Sequence, residues 1–261
     1  MIALSLEGKV ALVTGGSRGI GAACVRMFAQ AGARVAFSYR GAHDQARQLA
    51  QEVGGSDQCV ALQQELSSAQ DGRSLIDLAI ARFSRIDILV ANHGVWPPVD
   101  APIESMTDAQ WRSTMNINLD AVFGLVQSAV ARFKQQGRGA DGMAGHIVLI
   151  SSTAGQRGEA FHCDYAASKG ALISMTKGLS SELAAQGIRV NCVAPGWVHT
   201  DMAAPALNDS QTRAKVFSTI PMGRVAMPEE IAGPVLFLCT PLAGFMSGEI
   251  VNVNGGAVLV G

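Results

Sequence analysis

The stretch Lys9-Val10-Ala11-Leu12-Val13-Thr14-Gly15-Gly16-Ser17-Arg18-Gly19-Ile20-Gly21 decides the reading of the fold. Lys9–Val13 is a short, valine-rich apolar run, the pattern of a strand buried on both faces. It passes straight into a glycine-rich turn. Ala22–Ala31 then reads as a helix ended by Gly32, and Arg34–Tyr39 as a second strand. Glycines in the first turn of such a βαβ unit let backbone N–H groups and the helix N-terminus approach a pyrophosphate with no Cβ in the way. The strand–turn–helix context, more than the glycines alone, points to a dinucleotide site.

The alternation continues along the chain. Asp44–Val53 reads as a helix, Gln58–Leu62 as a strand, Ala69–Phe83 as a helix and Ile86–Val90 as a buried strand. That strand ends in Ala91-Asn92-His93-Gly94, at a carboxyl end where open α/β sheets bind ligands. Thr107–Phe133 is a long helical stretch with Thr107-Asp108-Ala109-Gln110 as a capping box, and Gly137–Gly145 is a glycine-rich surface loop. His146–Ile150 is a strand, the next helix runs to Ala185, and Ile188–Val193 is a strand closed by Ala194-Pro195-Gly196. Ala203–Thr219 is polar and helical, Pro228–Cys239 is a helix, and Ile250–Val253 is the last strand. Seven strands alternating with helices imply a mostly parallel, doubly wound α/β sheet, with 1–261 as a single domain.

Composition narrows the classes. With 261 residues, 48% of them hydrophobic, the chain can bury a large core. Lys and Arg (20) nearly balance Asp and Glu (21), with no basic block, so nucleic acid is not expected as a partner. Apolar runs such as Ile147–Ile150 fall far short of the ~20 residues of a membrane helix. The start, Met1-Ile2-Ala3-Leu4-Ser5-Leu6-Glu7, lacks the basic and apolar regions of a signal peptide, so a cytoplasmic location is expected. Five scattered cysteines with no C-x-x-C pair suggest neither a disulfide framework nor a metal site, and read as free, mostly buried thiols.

Two local patterns carry chemistry. After the second strand, where a carboxylate would hold an NAD ribose, the chain has Tyr39-Arg40-Gly41-Ala42, and Arg18 lies inside the glycine turn. Two guanidiniums there suit a 2′-phosphate, which favours NADP(H) over NAD(H). Further on stands Tyr165-Ala166-Ala167-Ser168-Lys169. On a helix Tyr165 and Lys169 sit one turn apart on one face, so an ammonium flanks a phenol. A nearby positive charge lowers a tyrosine pKa from about 10, toward use as a proton donor and acceptor. Taken alone, the pair reads first as a half-exposed packing contact.

Together these features resemble the short-chain dehydrogenase/reductase family over nearly the whole chain. Thr14-Gly15-x-x-x-Gly19-x-Gly21 is similar to its cofactor motif, and Asn92-His93-Gly94 to its Asn-Ala-Gly. Asn118 in Ile117-Asn118-Leu119 matches its helix asparagine. Ser152 precedes Tyr165 by thirteen residues, Tyr165-x-x-x-Lys169 follows, and Pro195-Gly196 completes the set. The resemblance implies a Rossmann-type sheet of order 3-2-1-4-5-6-7 and interconversion of a ketone and a secondary alcohol. It implies Tyr165 as acid/base and Lys169 as the group that lowers its pKa and binds the nicotinamide ribose. Ser152 would hold the substrate oxygen, and Asn118 would support a proton-refilling water chain. Ser151, the competing serine, is expected to point into the sheet. Gly15, Ser17, Arg18, Gly19, Ile20, Gly21, Tyr39, Arg40, Glu65, Leu66, Asn92, Gly94, Tyr165, Lys169, Pro195, Gly196, Val198 and Thr200 are the implied cofactor contacts. A homotetramer built on the long helices and the C-terminal tail is also implied.

The pattern is most similar to 3-oxoacyl-acyl-carrier-protein reductases, including Tyr39-Arg40 and the Asn252–Gly256 tail. Three positions depart from the family. Glu65-Leu66 stands where many members have Asp-Val, with its carboxylate either on the adenine amine or in solvent. His93 replaces a small residue, and reads as a rim histidine. The 137–145 loop is long. Gln186 also stands where carrier-protein reductases often have a basic residue, although Arg132, Lys134 and Arg138 offer a nearby patch. Substrate contacts are expected from Ser152, Gln156, His162, Tyr165 and Trp197, with Trp96, Arg157 and Glu159 nearby. This mixture selects no substrate class. A carrier-bound 3-oxoacyl group, a sugar, a polyol and a steroid-like alcohol stay open, as does a non-catalytic nucleotide-binding regulator.

Overall fold

A computed structural model describes residues 4–260, so the readings that fall on Met1–Ala3 and Gly261 lie outside the described residues. The strands are β1 (Val10–Val13), β2 (Arg34–Tyr39), β3 (Cys59–Gln63), β4 (Ile88–Ala91), β5 (Gly145–Ile150), β6 (Ile188–Pro195) and β7 (Ile250–Val253). All pair in parallel, in the order β3-β2-β1-β4-β5-β6-β7. The helices are α1 (Gly19–Gln30), α2 (His43–Glu52), α3 (Ala69–Phe83), α4 (Asp108–Met115), α5 (Ala121–Gln136), α6 (Thr153–Arg157), α7 (Cys163–Leu183), α8 (Ala204–Asn208), α9 (Ser210–Ser218) and α10 (Pro228–Leu238).

Strand alternation divides the core into two layers. Successive residues of β1 face opposite sides of the sheet. Ala11 and Val13, with Val35 and Phe37 of β2, pack against α1, α2 and α10 through Phe28, Leu49 and Val235. Val10 and Leu12, with Ala36 and Leu89, pack on the other face against α3, α5 and α7 through Leu75, Leu125 and Leu172. Every residue of β1, β4 and β5 is buried. Apolar runs without alternation are therefore the right signature for these strands, since both sides are covered.

Between β1 and β4 the strand order reverses, and there the connections leave in opposite directions. The segments after β1, β4, β5 and β6 consequently open a crevice at the carboxyl end of the sheet. Behind the sheet, α5 lies unusually close to α3. A β-carbon on Gly124 would lie 1.9 Å from the Ala69 carbonyl oxygen, and one on Gly72 2.3 Å from that of Ala121. The two helices thus touch backbone to backbone.

Local detail departs from expectation at several points. The stretch 107–133 is helical, as expected, but a π-turn, Asn116–Asp120, joins α4 to α5 within it. Only half of the capping box forms, because Thr107 Oγ1 accepts from the Gln110 N–H (3.1 Å) while the Gln110 side chain donates to Asp164 instead (3.3 Å). The 203–219 stretch is broken at Asp209, whose carboxylate caps α9 by accepting from the Thr212 N–H (2.7 Å). The short helix α6 was not anticipated; Ser152 caps it, accepting from the Ala154 N–H (3.1 Å). Cys24, Cys59, Cys192 and Cys239 are buried, Cys163 is half-buried, and all five are free thiols.

The backbone contact yields a direct test. Gly124→Ala should cost on the order of 1–3 kcal/mol or more, because a carbonyl cannot rotate away as a side chain can. A urea titration monitored by circular dichroism checks it, with an unchanged midpoint counting against the contact.

Candidate active site

The glycine turn starts the site. Gly15 and Gly19 adopt φ of +64° and +54°, the left-handed region where a Cβ is strained. The turn is pinned to β2: the Gly16 N–H donates to Ser38 O (2.8 Å) and the Gly15 N–H to Ser38 Oγ (3.2 Å). Arg18 precedes α1 in extended conformation, so the first amides of the helix face the crevice. Gly21 is the exception among the expected cofactor contacts. A β-carbon there would lie 2.1 Å from Gly15 O, so this glycine lets the helix start against the turn and does not itself line the cleft.

The end of β4 is tied to the end of β1 by one hydroxyl. Thr14 Oγ1 accepts from the backbone N–H groups of Asn92 (3.0 Å) and His93 (3.1 Å). The Asn92 side chain returns the contact, donating to Thr14 O (2.9 Å) and Gly15 O (3.3 Å). Having accepted twice, the Thr14 hydroxyl has one proton left to give. His93 Nδ1 stands 2.8 Å away, whereas Val90 O is at 3.5 Å. This assigns the tautomer: Nδ1 accepts, and Nε2 carries the proton and donates to Ile117 O (3.0 Å) in the π-turn. His93 borders the cleft, as expected of a rim residue, but both ring nitrogens are taken up inside the protein. It is a neutral strut between β1, β4 and the π-turn, and burial, with a smaller effect from the Lys169 charge, holds its pKa down at about 3.

The strut leads to Asn118. This side chain is fully buried and does not border the cleft. Its Oδ1 accepts from the Val95 N–H (2.8 Å), and its Nδ2 donates to Val95 O (2.9 Å) and to Ser168 Oγ (3.1 Å). Ser168 in turn donates to the Tyr165 carbonyl oxygen (2.7 Å). The asparagine side chain is thus used to clamp the segment after β4 onto α7. Ser168 joins that clamp without having been singled out in the sequence, where it reads as an ordinary helical serine.

Tyr165, Ser152 and Lys169 converge on the cleft, which has a volume of about 660 Å³. Lys169 is buried, its Nζ donates to Ile150 O (2.9 Å), and it lies 5.9 Å from the centroid of the Tyr165 ring. Ser151 points inward as expected and anchors α7, donating to Lys169 O (2.7 Å). Gly94 leaves space for the lysine: a β-carbon there would meet Asn118 Oδ1 at 3.1 Å and Lys169 Nζ at 3.2 Å. Burial pushes the Tyr165 phenol up to about 12, although the Ser152 hydroxyl draws it partly back, and burial brings Lys169 down to about 8. The sequence expectation of a lowered phenol pKa is not met, because desolvation outweighs the hydrogen bond from Ser152 and Glu159 adds to the rise.

Gly15, Ser17, Arg18, Gly19, Ile20, Tyr39, Arg40, Glu65, Leu66, Asn92, Gly94, Pro195, Gly196, Val198 and Thr200 all border this cleft. Glu65 reaches Arg40 (3.5 Å) and Arg18 reaches Asp201 (3.1 Å); both pairs are exposed. Trp197 also borders it, with one side of the ring against the small apolar cluster of α8 and α9. Two expected substrate contacts do not. Gln156 turns to β7 and donates to Asn252 Oδ1 (2.5 Å). His162 is buried behind Trp96, with Nε2 2.9 Å from Pro97 O and Nδ1 3.3 Å from Ala160 O. Thr153 lines the cleft as well, next to the motif residue Ser152, whereas Ser38 and Met202 line it with no signal in the sequence.

Comparison with known proteins agrees with this geometry. The family model described as Enoyl-(Acyl carrier protein) reductase matches residues 15–258. The 3-oxoacyl-[acyl-carrier-protein] reductase FabG of Vibrio cholerae is 36% identical over 259 residues, covering 98% of this chain and 100% of the relative. A short-chain dehydrogenase/reductase of Brucella melitensis, titled a glucose/ribitol dehydrogenase, superposes with a TM-score of 0.89 at 33% identity, covering 99% of this chain and 100% of that one. A 3-ketoacyl-(acyl-carrier-protein) reductase of the same organism, complexed with NADH, superposes with a TM-score of 0.88 at 31% identity, covering 98% and 100%. Among the described residues no helix is long and apolar enough to cross a membrane.

The His93 strut has a measurable signature. Its folded pKa of about 3 lies below the unfolded value of 6.5, so the unfolded chain takes up the proton first. The stabilisation is complete above pH 6.5 and is lost as pH falls toward 3. His146, held at about 4, adds in the same sense. Exchanging His93 for Ala should cost about 1–3 kcal/mol at pH 7.5 and flatten the fall in stability between pH 7.5 and 5, measured by urea unfolding at both values.

Proposed function

The chain belongs to the short-chain dehydrogenase/reductase family and is an oxidoreductase acting between carbonyl and hydroxyl groups on a nicotinamide dinucleotide; from this we propose an NADP(H)-dependent ketone reductase in which Tyr165 exchanges the proton. The observation that carries the reading is the meeting of Tyr165, Ser152 and Lys169 in the cleft that the glycine turn opens.

The cofactor site fits a dinucleotide on this chain's own features. Positive φ at Gly15 and Gly19 turns amides toward the crevice, and the start of α1 adds its unpaired N–H groups and positive dipole end, a cradle for a pyrophosphate. At the end of β2 the side chains are Tyr39 and Arg40, with no carboxylate to take a ribose 2′-hydroxyl. Arg40 and Arg18 are engaged only in exposed ion pairs, worth about 0–1 kcal/mol each, so a 2′-phosphate can recruit them cheaply. When bound, the nicotinamide supplies or accepts the hydride. Asn92, Gly94, Pro195, Gly196, Val198 and Thr200 would border it, and Lys169, which lines the same cleft, would bond its ribose.

In the reducing direction the Tyr165 phenol donates its proton to the carbonyl oxygen while Ser152 Oγ holds that oxygen in place. A phenol kept neutral up to about 12 is a ready donor at neutral pH. Lys169, charged below about 8, supports the negative charge left on the tyrosine. Asn118 acts through Val95 and Ser168, fixing the distance between the strand end and α7.

The substrate is a small carbonyl compound or its alcohol, with two classes suggested by similarity: 3-oxoacyl thioesters, including carrier-bound ones, and hydroxylated ketones. For a carrier protein, Arg138 reaches Ala185 O (2.6 Å) and so stands beside Gln186. Association as a homotetramer is supported by exposed Trp111 and Phe123 on α4 and α5, and by exposed Phe245 and Leu259 near the edge strand β7.

Three outcomes follow. Tyr165→Phe should lower kcat for ketone reduction by about 100-fold or more with thermal stability retained; retained turnover would overturn the mechanism. The kcat/KM for reduction should fall as pH rises through about 8, where Lys169 loses its proton, in a stopped-flow or steady-state profile. Arg40→Asp should weaken NADPH relative to NADH by about 10- to 100-fold, read from Kd by fluorescence titration.

A further inference from the structure

One ionisable side chain beside the reacting phenol has no task in hydride transfer. Glu159 lies between α6 and α7 and borders the same cleft as Ser152, Tyr165, Trp96 and Trp197. Burial raises its carboxyl pKa, with the nearby His162, the Trp96 side chain and Arg157 drawing it back; its charge in turn adds to the raised pKa of Tyr165.

The surroundings are built to stay in place. His162 is stacked on Trp96 at 4.7 Å with 17° between the planes, and both its nitrogens face carbonyl oxygens. Trp96 meets Trp197 edge-on, at 6.1 Å and 76°. The loop carrying Glu159 is fastened by the His162 N–H, which donates to Glu159 O (3.3 Å), and by the Ala101 N–H, which donates to Phe161 O (3.0 Å). Phe161 there has a φ of +65°, a conformation a non-glycine residue keeps only where its neighbours enforce it. Two indoles at nearly a right angle thus form a fixed corner, with a carboxylate at its side and the His162 nitrogens facing away into the protein.

This corner discriminates among substrates. An unfunctionalised acyl chain laid in it would strip water from Glu159 and offer no proton donor in return. An anionic substituent would be repelled. An ammonium would meet the charge of Arg157 as well as that of Glu159. A neutral hydroxyl avoids all three costs: it donates to the carboxylate while the C–H face beside it lies on an indole. We propose that Glu159 is the substrate-selecting acceptor of this cleft and that its preferred substrate is a neutral hydroxylated ketone, or the corresponding polyol, in preference to a plain 3-oxoacyl chain. The proposal rests on Tyr165 and Ser152 holding the carbonyl oxygen as described above.

The test compares kcat/KM for erythrulose, for 2-butanone as its counterpart without hydroxyls, and for an acetoacetyl thioester, each with NADPH and NADH. Wild-type protein should favour erythrulose over both by about 10-fold or more, the scale of one charged hydrogen bond. Glu159→Leu should reduce the erythrulose-to-butanone ratio by about the same factor. Glu159→Gln, which keeps an acceptor oxygen, should retain most of it. A ratio taken within one preparation does not depend on how much of a variant is folded. A wild-type preference for butanone or the thioester, or a ratio unchanged in Glu159→Leu, would overturn the proposal while leaving the role of Tyr165 intact. Activity surviving in Tyr165→Phe would instead remove the reading on which it rests.

Discussion

One threonine hydroxyl, helped by the Asn92 side chain, ties together the segments that leave β1 and β4 where the two halves of the sheet part. β1 and β4 are neighbours, yet the chain leaves them in opposite directions, and nothing in the strand ladder fixes the segments beyond their ends. Thr14 Oγ1 does so by accepting from two consecutive backbone amides of the β4 side and donating a hydrogen bond to His93 Nδ1. From there the chain of contacts runs through Ile117 and the π-turn, then through Asn118 to Ser168 and the backbone of Tyr165. The cofactor turn and the proton-transfer helix belong to different parts of the sequence. They share a frame because this buried polar network joins them, each member limited in how many bonds it can make.

The same network explains the electrostatics. Lys169 is buried with Ile150 O as its hydrogen-bond partner, and the site tolerates it only with a lowered pKa. His93, close by, is kept neutral partly by that charge. A neutral histidine suits a frame that must not change with pH across the physiological range, whereas a charged one would repel the lysine. Tyr165 is held as a phenol by desolvation, so proton donation is its resting capacity.

Much of this was legible in the sequence, for identifiable reasons. Strands covered on both faces leave unbroken apolar runs, which is how β1, β4 and β5 could be located. The glycine turn and Tyr165-x-x-x-Lys169 reach their roles through backbone geometry and helical spacing, which are local. What stayed hidden depends on contacts between distant segments. The π-turn leaves no pattern, because Ile117-Asn118-Leu119 is as compatible with an α-helix. The roles of His93 and Ser168 need Thr14, Ile117 and Asn118 brought together. Gln156 and His162 stand in the right segment but face the wrong way, toward Asn252 and Pro97. The lowered phenol pKa failed for a related reason: helical spacing shows the charge beside Tyr165, and cannot show how much water burial removes.

The backbone contact between α3 and α5 sets a limit of another kind. Where side chains meet, a core can trade volume between neighbours and settle at a slightly different spacing. At Gly72 and Gly124 there is no volume to trade, and the carbonyls themselves act as a hard stop. The π-turn at the head of α5 therefore keeps its height above the sheet however the surrounding aliphatic residues are exchanged. A redesign of the substrate end of the cleft can change many side chains freely, provided these two positions carry none.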